Sequence, residues 1–250
     1  MKDIVNFARV EKKYRLTPQQ KDLLLETIGH RLTPDAHGRN TICSLYLDTP
    51  SFMLIRKSIE AKSYKTAYKE KLRLRSYGTP SQDTHVFLEI KKKFKGVVYK
   101  RRETLTLQEA MAYISGGPRP TDSQIMREID YAMHFYQQPQ PAMFIAYERE
   151  AYFDQELPSL RITFDTNVRY REGDLLLEHG HQGTLLLPED AIMMEIKTDG
   201  SMPFWLARAL SDCGILPTSF SKYGTAYQIT AGLIPPVYVP PAQTSVSAAL

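Results

Sequence analysis

The stretch Tyr68-Lys69-Glu70-Lys71-Leu72-Arg73-Leu74-Arg75 decides how the chain is read. Successive side chains of a strand point to opposite faces of a sheet, so Lys69, Lys71, Arg73 and Arg75 share one face while Leu72 and Leu74 take the other. The next such run, Val86-Phe87-Leu88-Glu89-Ile90-Lys91-Lys92-Lys93, repeats the pattern, with Glu89, Lys91 and Lys93 opposed to Val86, Leu88 and Ile90. The same period recurs in Arg9, Glu11 and Lys13, in Lys100 and Arg102 beyond a turn at Gly96, and in Tyr147 and Arg149. It returns in Arg161, Thr163 and Asp165, and in Glu195 with Lys197. Nearly every strand places a cation on one face.

A single basic face is ordinary solvated surface of an antiparallel sheet. A series of them is not, because like charges directly opposed on neighbouring strands destabilise a sheet by roughly 0.2–1 kcal/mol per pair. A sheet that curls so that this face turns inward attracts a polyanion at lower effective dielectric, and the anion then neutralises the face. The expectation is an α+β protein, a closed antiparallel barrel with peripheral helices and a polyanion inside. Glu11, Glu89 and Glu195 repel phosphate, and they make sense as ligands of a magnesium or manganese ion that bridges to phosphate oxygens.

The 250 residues are 42% hydrophobic and 24% charged, which excludes a mainly disordered chain. No run approaches the ~18 apolar residues of a membrane span, and MKDIVNFARVEKKY lacks the apolar stretch of a signal peptide, so a soluble, cytoplasmic protein is expected. Lys and Arg number 32 against 28 Asp and Glu, and the net +4 hints only weakly at an anionic partner. Cys43 and Cys213 lie far apart among apolar neighbours and read as reduced core thiols. Residues 1–232 read as one domain. Residues 233–250, which include IPPVYVPPAQTSVSAAL, read as an extended, mobile proline-rich tail.

Thr17-Pro18-Gln19-Gln20 is a capping-box start with proline at the first helical position, followed by Leu23, Leu24 and Ile28 as an apolar face. Thr106 with Glu109 starts a second helix that ends before Gly116. A third is expected over 121–136 and a fourth over 202–212, closed by Gly214; the remainder reads as strands.

The motifs FARVEKKY, SLYLDT, KLRLRSYG, FLEIKKKFKGVVYKRR, YERE, LRITFDT, MMEIK and SFSKYG, in this order over roughly residues 4–230, resemble the triphosphate tunnel enzymes, and among them the VTC-type polyphosphate polymerase domain. That resemblance implies a closed tunnel of eight antiparallel strands and transfer of the gamma-phosphate of ATP to a growing polyphosphate chain, with manganese or magnesium as cofactor. It implies that Lys13, Arg73, Arg75, Lys91, Lys100, Arg149, Ser221 and Lys222 line the phosphate path, with Tyr147 beside it and Glu195 on the metal. Lys13, Arg73, Arg75, Lys91, Arg149 and Lys222 are the candidate catalytic set. Arg9, Lys71, Lys93, Lys100, Arg102, Tyr147, Arg161, Lys197 and Ser221 are candidate substrate ligands, and Glu89 and Glu11 are further metal candidates. Many superfamily members open with E-x-E-x-K, whereas this chain has Arg9-Val10-Glu11-Lys12-Lys13; the missing first glutamate favours the polymerase branch. The expected ligands are ATP, polyphosphate, triphosphate and pyrophosphate. Eukaryotic members append a phosphate-sensing module and membrane helices; these 250 residues contain neither, so regulation and anchoring are not carried over from the resemblance, and a membrane partner protein is left open.

Two other functions compete with this one on the residues. A metal-dependent triphosphatase uses the same cations and metal and differs in whether water attacks. Basic strands with Tyr64, Tyr68, Tyr77 and Phe94 nearby suit single-stranded nucleic acid, but strict alternation and the interleaved glutamates argue against it. His179-Gly180-His181 reads as a surface loop, and Trp205 and Met193-Met194 as packing residues. Ser221-Lys222 has no histidine or oxyanion motif beside it, so phosphate binding is preferred to nucleophilic catalysis. Glycine-rich phosphate loops are absent from the sequence.

Overall fold

The computed structural model describes residues 9–36, 38–60, 68–94 and 97–237, with the side chain of Arg9 excepted. The Gly96 turn, Tyr64 and the tail beyond residue 237 lie outside the described residues. In chain order the first half comprises β1 (Arg9–Leu16), α1 (Pro18–Ile28), β2 (Leu32–Pro34), β3 (Asn40–Asp48), α2 (Met53–Glu60), β4 (Lys69–Tyr77), β5 (His85–Phe94) and β6 (Val97–Thr106). It continues through α3 (Leu107–Ile114), α4 (Gln124–Phe135), β7 (Gln140–Asp154), β8 (Arg161–Arg171) and β9 (Thr184–Leu185). β10 (Ile192–Asp199), α5 (Phe204–Asp212), β11 (Pro217–Thr218) and α6 (Lys222–Thr230) follow.

The expected closed eight-stranded barrel is not what forms. The strands make one 11-stranded antiparallel sheet in the order β11-β1-β10-β8-β7-β3-β4-β5-β6, with β2 added on β7 and β9 on β8. No ladder joins β6 to β1 among the described residues, so the sheet is curled but open. The reason lies at its edges. β11 occupies the outer edge of β1, pairing Lys13 with Thr218 and Tyr14 with Pro217, and a proline has no N–H to offer a further strand. The two ends of the sheet meet through side chains instead, Lys91 of β5 lying 3.8 Å from Glu11 of β1.

Curling sorts the side chains into three apolar clusters. Leu72, Leu74, Val86, Leu88 and Ile90 pack on the convex side under α3 and α4. Tyr14, Leu16, Ile162, Phe164 and Ile196 pack on the other half of that side under α1 and α5, with Trp205 and Met202 at the margin. On the concave side, Tyr46, Met143, Ile145 and Met193 pack against Ile55 of α2 and Tyr223 and Ala226 of α6. Burying such side chains contributes about 1.5–3 kcal/mol each, which holds the helices on the sheet. Cys43 and Cys213 are both free and buried.

The capping boxes form as written, Thr17 with Gln20 and Thr106 with Glu109. Leu23, expected on the buried face of α1, is 47% exposed, and Leu24 and Ile28 carry the contact. The third helix begins at Gln124 rather than 121, because the Ser123 hydroxyl accepts the Met126 N–H as its N-cap. The fourth begins at Phe204 behind Pro203. Two helices stand where strand was expected. In α2 the N–H groups of Leu54 and Ile55 donate to the Asp48 carboxylate at 2.9 and 3.0 Å, and that of Met53 to the Thr49 hydroxyl. In α6 the Ser221 hydroxyl accepts the Gly224 N–H at 3.1 Å, and a Cβ at Gly224 would lie 3.1 Å from that oxygen.

Candidate active site

The concave face carries the cations in rows set by the strand register. Lys71, Lys91 and Lys100 lie opposite one another across β4, β5 and β6; the next row reads Arg73, Glu89, Arg102, and the row on the other side pairs Lys69 with Lys93. This end of the face bounds a cavity of 780 Å³ lined by Lys13, Lys69, Lys71, Lys91, Lys93 and the 217–221 segment. The Lys71 ammonium donates to Ser221 Oγ at 3.1 Å, and no carboxylate among the described residues lies within ion-pair distance of it. Burial pushes the Lys71 pKa down, the Tyr46 hydroxyl draws it up, and Lys13, Lys91 and Arg73 repel its charge, leaving it lowered to about 8. Burial likewise takes Lys100 to about 8 despite Glu89 beside it.

The middle of the face is organised by three buried carboxylates. Glu89, 1% exposed, receives Arg73 Nη2 at 2.7 Å, Lys100 Nζ at 2.7 Å and Arg102 Nη2 at 2.8 Å. Burial raises its pKa, and Arg73, Arg75 and Lys100 outweigh that and hold it far below the usual carboxylate range. Asp165, fully buried, takes Arg149 through two hydrogen bonds of 2.6 and 2.8 Å and Lys222 at 2.5 Å. Glu195 lies 3.0 Å from Lys197, 3.3 Å from Lys13, 3.8 Å from Arg149 and 3.9 Å from Lys222. Burial pushes its carboxyl up, but Lys222, Lys13, Lys197 and Arg149 hold it well below the usual range.

Aromatic hydroxyls link the two halves. Arg75 donates to Ser44 Oγ at 3.2 Å and to the Tyr147 hydroxyl at 3.3 Å, while Lys222 sits 4.4 Å above the Tyr147 ring. Arg73 donates to the Tyr46 hydroxyl at 3.3 Å, and the Tyr46 ring stacks on Tyr223 with centroids 4.5 Å apart. Burial raises the Tyr46 pKa, but Arg73, Lys71 and Arg75 pull it down to about 7.

The residues singled out from sequence thus converge on one face, with differences of place. Arg161 and Arg102 stand at the opposite end from the lysine rows, Arg161 bonded to Asp35 at 3.0 Å. Arg9 pairs with Asp199 through its backbone, and its side chain lies outside the description. Tyr46, Ser44 and Asp165 received no role from the sequence. Asp165 shares the parity of Arg161 and Thr163, a signal that was available. Tyr46 lies in a strand buried on both faces, where alternation is silent.

Among the described residues no group of three or more His, Cys, Asp or Glu is arranged to hold a metal. The donors that fit a hard divalent ion are Glu11 and Glu195. They flank the Lys13 ammonium at 3.4 and 3.3 Å, and the buried Thr163 hydroxyl, opposite Glu195 in register, has no hydrogen-bond partner among the described residues. One or two carboxylates with phosphate oxygens is a common ligand set for magnesium. Both Glu89 oxygens carry ion pairs of 2.7 Å, shorter than the 3.0 and 3.3 Å pairs on the two oxygens of Glu195.

The fold and site together are those of a curled, open antiparallel sheet with cations and buried carboxylates on its concave face. The VTC domain family model matches residues 8–231, and the chain belongs to that family. Among solved structures, a candidate adenylate cyclase from Bacillus halodurans is similar at 12% identity and TM-score 0.52, covering 85% of this chain and 93% of its own. The Hippeastrum protein HpAC1, a candidate adenylyl cyclase described with a dominant triphosphatase activity, is similar at 16% identity and TM-score 0.51, covering 91% and 98%. Both likenesses concern the fold. No curated protein matches the chain. No helix among the described residues is long and apolar enough to cross a membrane.

Proposed function

We propose that the concave face is a phosphoryl-transfer site that adds the gamma-phosphate of ATP to a polyphosphate chain. The observation that carries this reading is the in-register row Lys71, Lys91 and Lys100, continued by Lys69 and Lys93. Directly opposed like charges cost stability, and a phosphate chain with one charge per unit offsets that cost. In this reading a terminal oxygen of the chain attacks the gamma-phosphorus, the bond to the bridging oxygen breaks, and ADP leaves. The transition state is loose, so catalysis rests on alignment and charge neutralisation. Arg73 and Arg149, each fixed by a buried carboxylate, clamp phosphoryl oxygens, and Lys13 and Lys222 add point charge. Glu195, with Glu11, would hold the divalent ion, which supplies charge neutralisation at phosphate oxygens. The test is incubation of the pure protein with ATP and manganese, followed by gel analysis. Long phosphate chains support the reading; orthophosphate alone assigns a triphosphatase.

A further inference from the structure

The two ends of the concave face differ in chemistry. The lysine end presents compact point charges on flexible stems, suited to a bare phosphate chain. The opposite end opens as a separate cavity of 430 Å³, lined by Arg102, Arg149 and Arg161 together with Tyr77 and Phe87. Planar groups stand close together there. The Tyr77 and Phe87 rings meet edge to face with centroids 5.7 Å apart, and the Arg102 guanidinium lies 4.3 Å from the Phe87 centroid while Glu89 holds it. Tyr77 is 51% exposed, and the buried Arg161 Nε has no partner among the described residues.

Along β4 the residues Arg73, Arg75 and Tyr77 fall on one face. With a rise of about 3.3 Å per residue, Tyr77 stands about 7 Å beyond Arg75 and about 13 Å beyond Arg73. A triphosphate gripped by the arginines of the middle therefore has room for one sugar before it reaches the ring. We propose that this arginine and aromatic mouth binds the nucleoside half of a nucleoside triphosphate, the base stacking on Tyr77 and the gamma-phosphate pointing inward toward Arg149 and Glu195. The inference rests on the phosphoryl-transfer reading and gives it a direction: nucleotide enters at the arginine end and the phosphate chain occupies the lysine end.

Calorimetry with ATP and with inorganic tripolyphosphate tests the two ideas separately. Base stacking on an aromatic ring predicts that Tyr77→Ala weakens ATP binding by roughly 5- to 100-fold. Tripolyphosphate, which has no base, should bind the variant as it binds the wild type, and Tyr77→Phe, which keeps the ring, should bind ATP normally. Unchanged ATP affinity in Tyr77→Ala, or an equal loss for both ligands, overturns the nucleoside site while leaving the phosphoryl-transfer reading intact. A wild-type protein that binds no tripolyphosphate overturns the phosphoryl-transfer reading and the nucleoside site with it.

Discussion

Raising the pH from 7 to 9.5 removes the charge from Lys71 when the cavity is empty but not when phosphate fills it. The cause is the crowding of the site. Burial pushes the Lys71 pKa down, and although Tyr46 opposes this, Lys13, Lys91 and Arg73 add repulsion, so the free ammonium titrates at about 8. An anion that restores the ordinary lysine value of ~10.4 binds up to about 30-fold less tightly at pH 9.5 than at pH 7, since only about 3% of the free sites then carry the proton. The sign for stability is the reverse. Between about pH 8 and 10 the unfolded lysine holds a proton that the folded one has lost, so this group makes the free protein more stable as pH rises, while the stabilisation by ligand shrinks. Calorimetry of tripolyphosphate at fixed ionic strength on the wild type and on Lys71→Arg isolates the effect. Arginine keeps its charge at both pH values, and the titrations of the ligand and of Lys100 are common to the two proteins. The wild type should lose up to about 30-fold more affinity than Lys71→Arg. Identical pH profiles would refute the assignment of a depressed Lys71.

Glu195→Gln keeps the shape but removes a negative charge from among four cations, so metal-free phosphate affinity should hold or rise while manganese-dependent turnover falls by roughly two orders of magnitude or more, as steady-state kinetics would record. Glu89→Gln leaves Arg73, Arg102 and Lys100 without their shared anion; breaking such a buried pair costs about 3–5 kcal/mol, a Tm loss on the order of 10 °C that tripolyphosphate should largely restore in a thermal melt. Asp48→Asn weakens both the cap of α2 and the 2.8 Å bond from the Tyr223 hydroxyl. It should lower Tm and also phosphate affinity, because α6 carries Ser221 and Lys222; a melt with no loss of affinity would separate the helix from the site.

The sequence discloses what is local. Alternation places Lys71, Arg73, Arg149 and Glu195 on one face because parity needs no knowledge of distant partners, and Thr17 with Gln20 announces a helix because a capping box is contained within four residues. What depends on remote contacts stays hidden. The start of α2 is satisfied by Asp48, six and seven residues upstream of the N–H groups it accepts. Helix α6, with Gly224 and two threonines inside it, has weak propensity of its own and is held by the stack of Tyr223 on Tyr46 from β3. Closure of the sheet is the extreme case. Whether β6 meets β1 depends on two edges far apart in the chain, and β11 already occupies part of the edge of β1, at Lys13 and Tyr14.

The carboxylates explain how so many cations coexist in a folded protein and why the two ends of the face serve different tasks in the proposed reaction. Glu89 binds three cations, Asp165 two, and four lie within ion-pair distance of Glu195, so the arginines of the middle are held before any substrate arrives. Groups fixed in advance have little reorganisation left to do when charge shifts in a transition state, and that favours chemistry at the middle. Toward the lysine end this pairing thins, with Lys71 bonded to a serine hydroxyl and Lys91 to Glu11 at a distant 3.8 Å. In the proposed reaction, ammonium groups such as those of Lys71 and Lys91 hold a phosphate chain without fixing its register, so the chain can advance by one unit with each transfer.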